Sequence, residues 1–112
     1  MLLKTKSSVV DGVATIKATG EIDLATVESL REAMISVLTA DVTTLVFDLD
    51  EVEHIDSTGL GVLAGAHRQL ASRSGKLIVR CSQPRILRLL QITQLDRVLT
   101  VESEKGSQAP TG

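Results

Sequence analysis

Apolar and polar positions along this chain follow two periods in turn. Ala14, Ile16 and Ala18 fall on one face while Thr15 and Lys17 fall on the other, a period of two that predicts a strand over Val13–Thr19. Lys4–Val10 reads as a strand before it, joined by Asp11-Gly12, a dipeptide that readily makes a two-residue hairpin turn. Leu24, Val27, Leu30, Met34, Val37 and Leu38 then recur at three- and four-residue spacing, which predicts a helix. Asp23 stands just ahead of it, and its carboxylate suits the otherwise unpaired first-turn amides. Thr44–Leu49 reads as a short strand whose Leu45-Val46-Phe47 run belongs at the centre of a covered sheet. After an acidic connection, a second helix over Thr58–Ser72 carries Leu60, Leu63, Ala64, Leu70 and Ala71 on one face, and Gly75 closes it. Lys76–Cys81 is a further strand. Pro84 suits the first turn of a third helix with Ile86, Leu87, Leu89 and Leu90, and Val98–Val101 is a last strand.

The order β-β-α-β-α-β-α-β implies right-handed crossovers and a mostly parallel sheet. The fold class expected is therefore α/β: about five strands, the first hairpin antiparallel, covered by about three helices. At 112 residues the chain holds one domain, expected over 1–103. The remainder, 104–112, has no apolar anchor beyond Ala109 and reads as a disordered polar tail.

Composition removes several functions. Twelve basic against fourteen acidic residues give a net charge of -2, which offers no general attraction for nucleic acid or an anionic membrane. Phe47 is the sole aromatic residue, so base-stacking platforms cannot be built. The single cysteine, Cys81, excludes an internal disulfide and fits a reducing cytoplasm. No run approaches the ~18 apolar residues that span a bilayer, and the N-terminus lacks a signal-peptide core. These features imply a soluble cytoplasmic domain.

Catalytic signals are weak. His54 and His67 lie thirteen apart with no ligand at metal spacing, His54 in a loop and His67 on or beside the apolar stripe of the second helix. Asp48, Asp50, Glu51, Glu53 and Asp56 put five acids within nine residues, but a calcium loop beginning at Asp48 has Glu53 and Gly59 where glycine and glutamate are required. A solvated acidic loop is the expectation. Ser57 lacks a nucleophile-elbow frame, its flanking positions holding Ile55 and Gly59. Gly59, Gly61 and Gly65 have the wrong spacing for a dinucleotide turn. Gly59 and Gly61 would keep the backbone accessible at a helix start. Gly61 and Gly65, one turn apart, make a flat strip for close packing within the fold or for a docking partner. Neither metal, cofactor nor enzymatic activity is expected.

The informative segment is Asp56-Ser57-Thr58-Gly59-Leu60-Gly61. A serine ahead of an apolar helix is ordinarily its N-cap. The same hydroxyl on an exposed loop is also a place where a phosphate would meet free amides and the positive end of the helix dipole. Phosphorylation would bring about -1.5 to -2 charges and alter a surface without unfolding the domain.

Three blocks in register, Thr19-Gly20-Glu21-Ile22-Asp23, Leu45-Val46-Phe47-Asp48-Leu49 and Ile55-Asp56-Ser57-Thr58-Gly59-Leu60-Gly61-Val62-Leu63, resemble the STAS domain of bacterial anti-sigma-factor antagonists. The resemblance runs from about Val9 to Val101. It implies partner switching: the unphosphorylated antagonist binds an anti-sigma-factor serine kinase and frees a sigma factor for transcription in a stress response. Phosphorylation of the antagonist ends that binding, and a PP2C-type phosphatase restores it. By position, Ser57 would be the phosphoacceptor and Asp56 would order its loop. Thr58, Gly59, Leu60 and Gly61 would dock on the partner, and Asp23 would lie at the same end. Family members often carry a further C-terminal helix, where this chain has its polar tail. The other reading within the same fold is a constitutive STAS subunit of a lipid-transport ATPase or stress-signalling scaffold, with Ser57 only a helix cap.

Overall fold

Eight residues of backbone, Leu3–Val10 (β1), turn back at Asp11-Gly12 and pair antiparallel with Val13–Ile22 (β2). Asp11 and Gly12 both have positive φ, 51° and 80°, as a turn whose twist matches two paired strands requires. The chain continues through α1 (Val27–Val37), β3 (Thr44–Ile55), α2 (Ser57–Ala71), β4 (Lys76–Arg80), α3 (Pro84–Ile92), one 3-10 turn (Leu95–Arg97) and β5 (Thr100–Glu102). This computed structural model describes residues 2–103, so the expected tail at 104–112 lies outside the described residues. The sheet order is β1-β2-β3-β4-β5, and every pair after the first is parallel. That is the mixed α/β sheet expected from the element order.

One face of the sheet makes the core. Ala14, Ile16 and Ala18 of β2, Leu45, Phe47 and Leu49 of β3, and Leu77 and Val79 of β4 are all buried there. Leu30, Met34 and Val37 of α1, Leu60, Leu63 and Leu70 of α2, and Ile86 and Leu90 of α3 join them in one cluster. Phe47, the largest of these side chains, is fully covered. The opposite face carries Thr15, Lys17, Asp48, Ile78 and Arg80, none of them buried.

Among the boundaries that differ from the pattern reading, four change the packing. First, β3 runs on to Ile55, so the acidic segment is strand where a loop was expected. Register shifts between Lys17 and Thr19 and between Gly20 and Glu21 give β3 extra residues against β2. Leu49, Val52 and Ile55 therefore reach the core at a spacing of three, which hides the strand period. The Gln83 side chain donates to the carbonyls of Leu49, Asp50 and Val52 and so satisfies the irregular backbone.

Second, α1 begins at Val27 with Thr26 as N-cap, so Asp23 does not cap it. The Asp23 carboxylate instead accepts from the N–H groups of Ala25 and Thr26 at 3.0 and 3.1 Å. Thr26 Oγ1 accepts from Asp23 N–H at 3.0 Å and donates to the Glu21 carbonyl at 2.8 Å. This closed turn expels Leu24, first of the expected stripe, which is 77% exposed. Third, α2 ends at Ala71, itself exposed, and the left-handed residue after it is Ser74, with φ 59°, rather than Gly75. Fourth, Val98 and Leu99 follow the 3-10 turn, and β5 starts only at Thr100.

Candidate functional site

The ends of two parallel strands create the site. Ile22 closes β2 and Ile55 closes β3, and the two are register partners. One step later the Asp56 N–H donates to the Ile22 carbonyl at 3.1 Å. The Asp23 turn and the start of α2 therefore leave the sheet side by side, at the carboxyl ends of the strands where open α/β sheets present their sites.

Asp56 is extended, with φ -109° and ψ -173°, and is the N-cap of α2. Its Oδ1 accepts from the N–H of Thr58 at 2.9 Å, from the N–H of Gly59 at 3.3 Å and from the Thr58 hydroxyl. The Thr58 hydroxyl donor holds the Asp56 carboxyl below the usual range; partial burial opposes this, and the two amides and nearby His54 reinforce it. With the cap supplied by Asp56, Ser57 becomes the first helical residue and not the cap that its sequence position suggested. A charged carboxylate wins this role because it satisfies three donors from one oxygen. Ser57 is exposed, and its hydroxyl has no hydrogen-bond partner among the described residues.

The glycines behind it divide sharply. Gly59 is buried, and a Cβ there would stand 2.5 Å from Ile22 Cγ2 and 2.7 Å from Ile55 Cγ1. Its hydrogen side lets α2 sit directly on the two strand ends, so it serves packing rather than access. Gly61 is exposed with nothing within 4 Å of where a Cβ would be, and Gly65 meets only Arg68 Nη2 at 3.9 Å. That pair leaves an open strip on the helix. Thr58 is half-buried, and Leu60 is 8% exposed, its side chain committed to the core.

Comparison with known proteins bears on what this geometry is for. The STAS domain family model matches residues 4–107. The anti-sigma-B factor antagonist of Listeria monocytogenes is 36% identical over 87 residues, covering 78% of this chain and 76% of the relative. The Bacillus subtilis protein of the same name is 33% identical, with 83% and 86% covered. The crystal structure of an anti-sigma factor antagonist from Mycobacterium paratuberculosis superposes with a TM-score of 0.82 at 31% identity, covering 90% of this chain and 86% of that one.

The chain belongs to the STAS-domain family of anti-sigma-factor antagonists.

In this STAS domain the other sequence candidates are placed apart. His54, expected in a loop, is exposed at the penultimate position of β3, and His67 is half-buried on α2. Among the described residues no three metal-ligating side chains come together. The five acids are dispersed along β3 and past its end: Asp50 Oδ1 accepts from the N–H and hydroxyl of Ser82 at 2.7 and 2.9 Å, while Glu51 pairs with Lys17. Cys81 is fully buried, and burial pushes its thiol up. Among the described residues no helix is long and apolar enough to cross a membrane. Sequence reasoning missed the projecting Leu24. Its signal was available in Asp23-Leu24-Ala25-Thr26, where aspartate and threonine three apart can close a turn on each other's backbone.

Proposed function

We propose that this chain is an anti-sigma-factor antagonist operated by phosphorylation of Ser57. In its unphosphorylated form it binds an anti-sigma-factor serine kinase through the Asp23 turn, Asp56 and the exposed start of α2, including Thr58 and Gly61. That binding releases a sigma factor for transcription. Phosphate on Ser57 ends the contact, and a PP2C-type phosphatase removes it. The protein is a regulatory binding partner with no catalysis of its own.

The observation that carries this reading is the division of labour between Asp56 and Ser57. The helix start is held by the aspartate, and the serine hydroxyl stands exposed with no structural duty. Esterifying that oxygen removes no hydrogen bond among the described residues. The added charge of about -1.5 to -2 sits at a helix N-terminus, where the dipole favours an anion. The fold therefore survives while the docking face changes in charge and shape. Gly59 and Leu60, packed inward, act by setting the position of the helix rather than by touching the partner.

The deciding experiment incubates the chain with its cognate anti-sigma-factor serine kinase and ATP, then locates phosphate by mass spectrometry. One phosphate on Ser57, absent in Ser57→Ala, is the expected result. Labelling elsewhere, or undiminished labelling of Ser57→Ala, removes the switch. Recovery of a transporter ATPase in a pull-down, with no labelling, would instead make the chain a constitutive subunit.

A further inference from the structure

On the sheet face away from the helices, β1 and β2 set two lysines against each other. Lys6 and Lys17 are register partners in the antiparallel pair, and directly opposed residues share a face. Lys4 follows two residues along β1, on the same face. Like charges in direct opposition destabilise a sheet, so this arrangement acts against the fold. Local compensation is incomplete. Lys17 Nζ reaches Glu51 Oε2 at 3.3 Å, and the other oxygen of that carboxylate takes the Thr19 hydroxyl at 3.3 Å. Asp48 lies across from Lys17 in the parallel register without an ion pair to it within 4.0 Å among the described residues. Arg80, next along that row, has Glu102 at 4.0 Å. Lys4 and Lys6 have no carboxylate within 4.0 Å among the described residues, and both are exposed.

The surplus charge surrounds a concavity. Lys4, Thr5, Lys6, Lys17, Thr19 and Glu51 line a cleft of about 470 Å³. Three ammonium groups face one carboxylate there, a locally positive site on a chain whose net charge is -2. A site with excess cations, hydroxyl groups beside them and room for several heavy atoms is suited to a polyvalent anion, which a flat acidic protein surface is not.

We propose that this cleft binds a small polyvalent oxyanion of the polyphosphate type, held by Lys4, Lys6 and Lys17, with the Glu51 carboxylate competing with it for Lys17. The site is on the far face of the sheet from the helices and does not depend on the Ser57 reading. The anion neutralises the opposed lysines, so binding stabilises the β1–β2 hairpin and weakens as salt rises.

The test titrates the full chain with inorganic triphosphate and follows backbone amides by NMR. Saturable shifts are expected at Lys4, Lys6, Lys17 and Thr19, diminished by added salt. Lys6→Gln should bind at least about tenfold more weakly, the effect of losing one favourable charge contact of ordinary size. Because that substitution also relieves the like-charge pair, its Tm should equal or exceed that of the parent. Glu51→Gln should bind more tightly. Failure of the parent chain to saturate at millimolar triphosphate overturns the proposal, as does undiminished binding by folded Lys6→Gln. Binding of a polyglutamate peptide in preference to triphosphate overturns it as well, making the face an acidic-protein contact.

Discussion

Asp56 offers one carboxylate oxygen to three donors, and that concentration makes the start of α2 depend on its ionisation. Its folded carboxyl titrates below the usual aspartate value of about 3.9. On acidification the unfolded chain therefore takes up the proton first. The cap's stabilisation is complete above about pH 4 and is lost as pH falls through the folded value. Asp56→Asn retains a good capping group but no titrating one. A series of urea unfolding curves from neutral to acid pH should show a shallower acid limb for Asp56→Asn than for the parent. Equal slopes would mean that the cap carries none of the acid sensitivity. Cys81 makes the converse case at the same scale: buried, with its thiol pushed up, it should react with a thiol reagent at neutral pH only after unfolding. Rapid modification of the folded chain would contradict its burial.

At the scale of one element, two of the three glycines of α2, Gly59 and Gly61, stand two residues apart with opposite duties. Adding a methyl at Gly59 drives it into Ile22 and Ile55, whose branch carbons have little freedom to retreat. Gly59→Ala should cost about 1–3 kcal/mol by overpacking, read from the shift in denaturation midpoint. Gly61→Ala meets nothing and improves helix propensity, so it should gain about 0.5–1 kcal/mol. If the open strip docks a partner, the same methyl should weaken the complex even as the free protein becomes more stable. Unchanged binding by Gly61→Ala would remove the strip from the interface, and a loss of stability would contradict the open space around that position. The difference between these glycines was not legible from spacing. Both precede apolar residues in one motif, and only the arrival of β2 beside β3 distinguishes them. Strand β3 shows the same limit. Its first half was plain from Leu45-Val46-Phe47, whereas its second half was hidden because bulging changed the apolar interval from two to three. Helix α1 was legible from Val27 onward, and Leu24 was misassigned because its apolar spacing fits a helix that the Asp23–Thr26 turn delays.

For the molecule as a whole, element order alone implied the mixed sheet, because crossovers of this length leave parallel pairing as the workable arrangement. The site was legible as a segment, from Asp56 to Gly61, but the roles within it depended on hydrogen bonds that two adjacent small polar residues could have shared in either order. The resulting separation of fold from switch has a direct test. Ser57→Asp should keep its Tm within about 0.5 kcal/mol equivalent of the parent, as exposed substitutions usually do. Its affinity for the kinase partner, measured by calorimetry, should fall. Full-strength binding by folded Ser57→Asp would show that charge at this position does not control docking.

The turn that projects Leu24 is closed entirely by its neighbours. Asp23 and Thr26 supply its side-chain hydrogen bonds, and the leucine side chain adds nothing to the core. Folding therefore places no demand on which side chain occupies position 24. Its identity is free to drift, or to be chosen, solely for what touches the protein from outside.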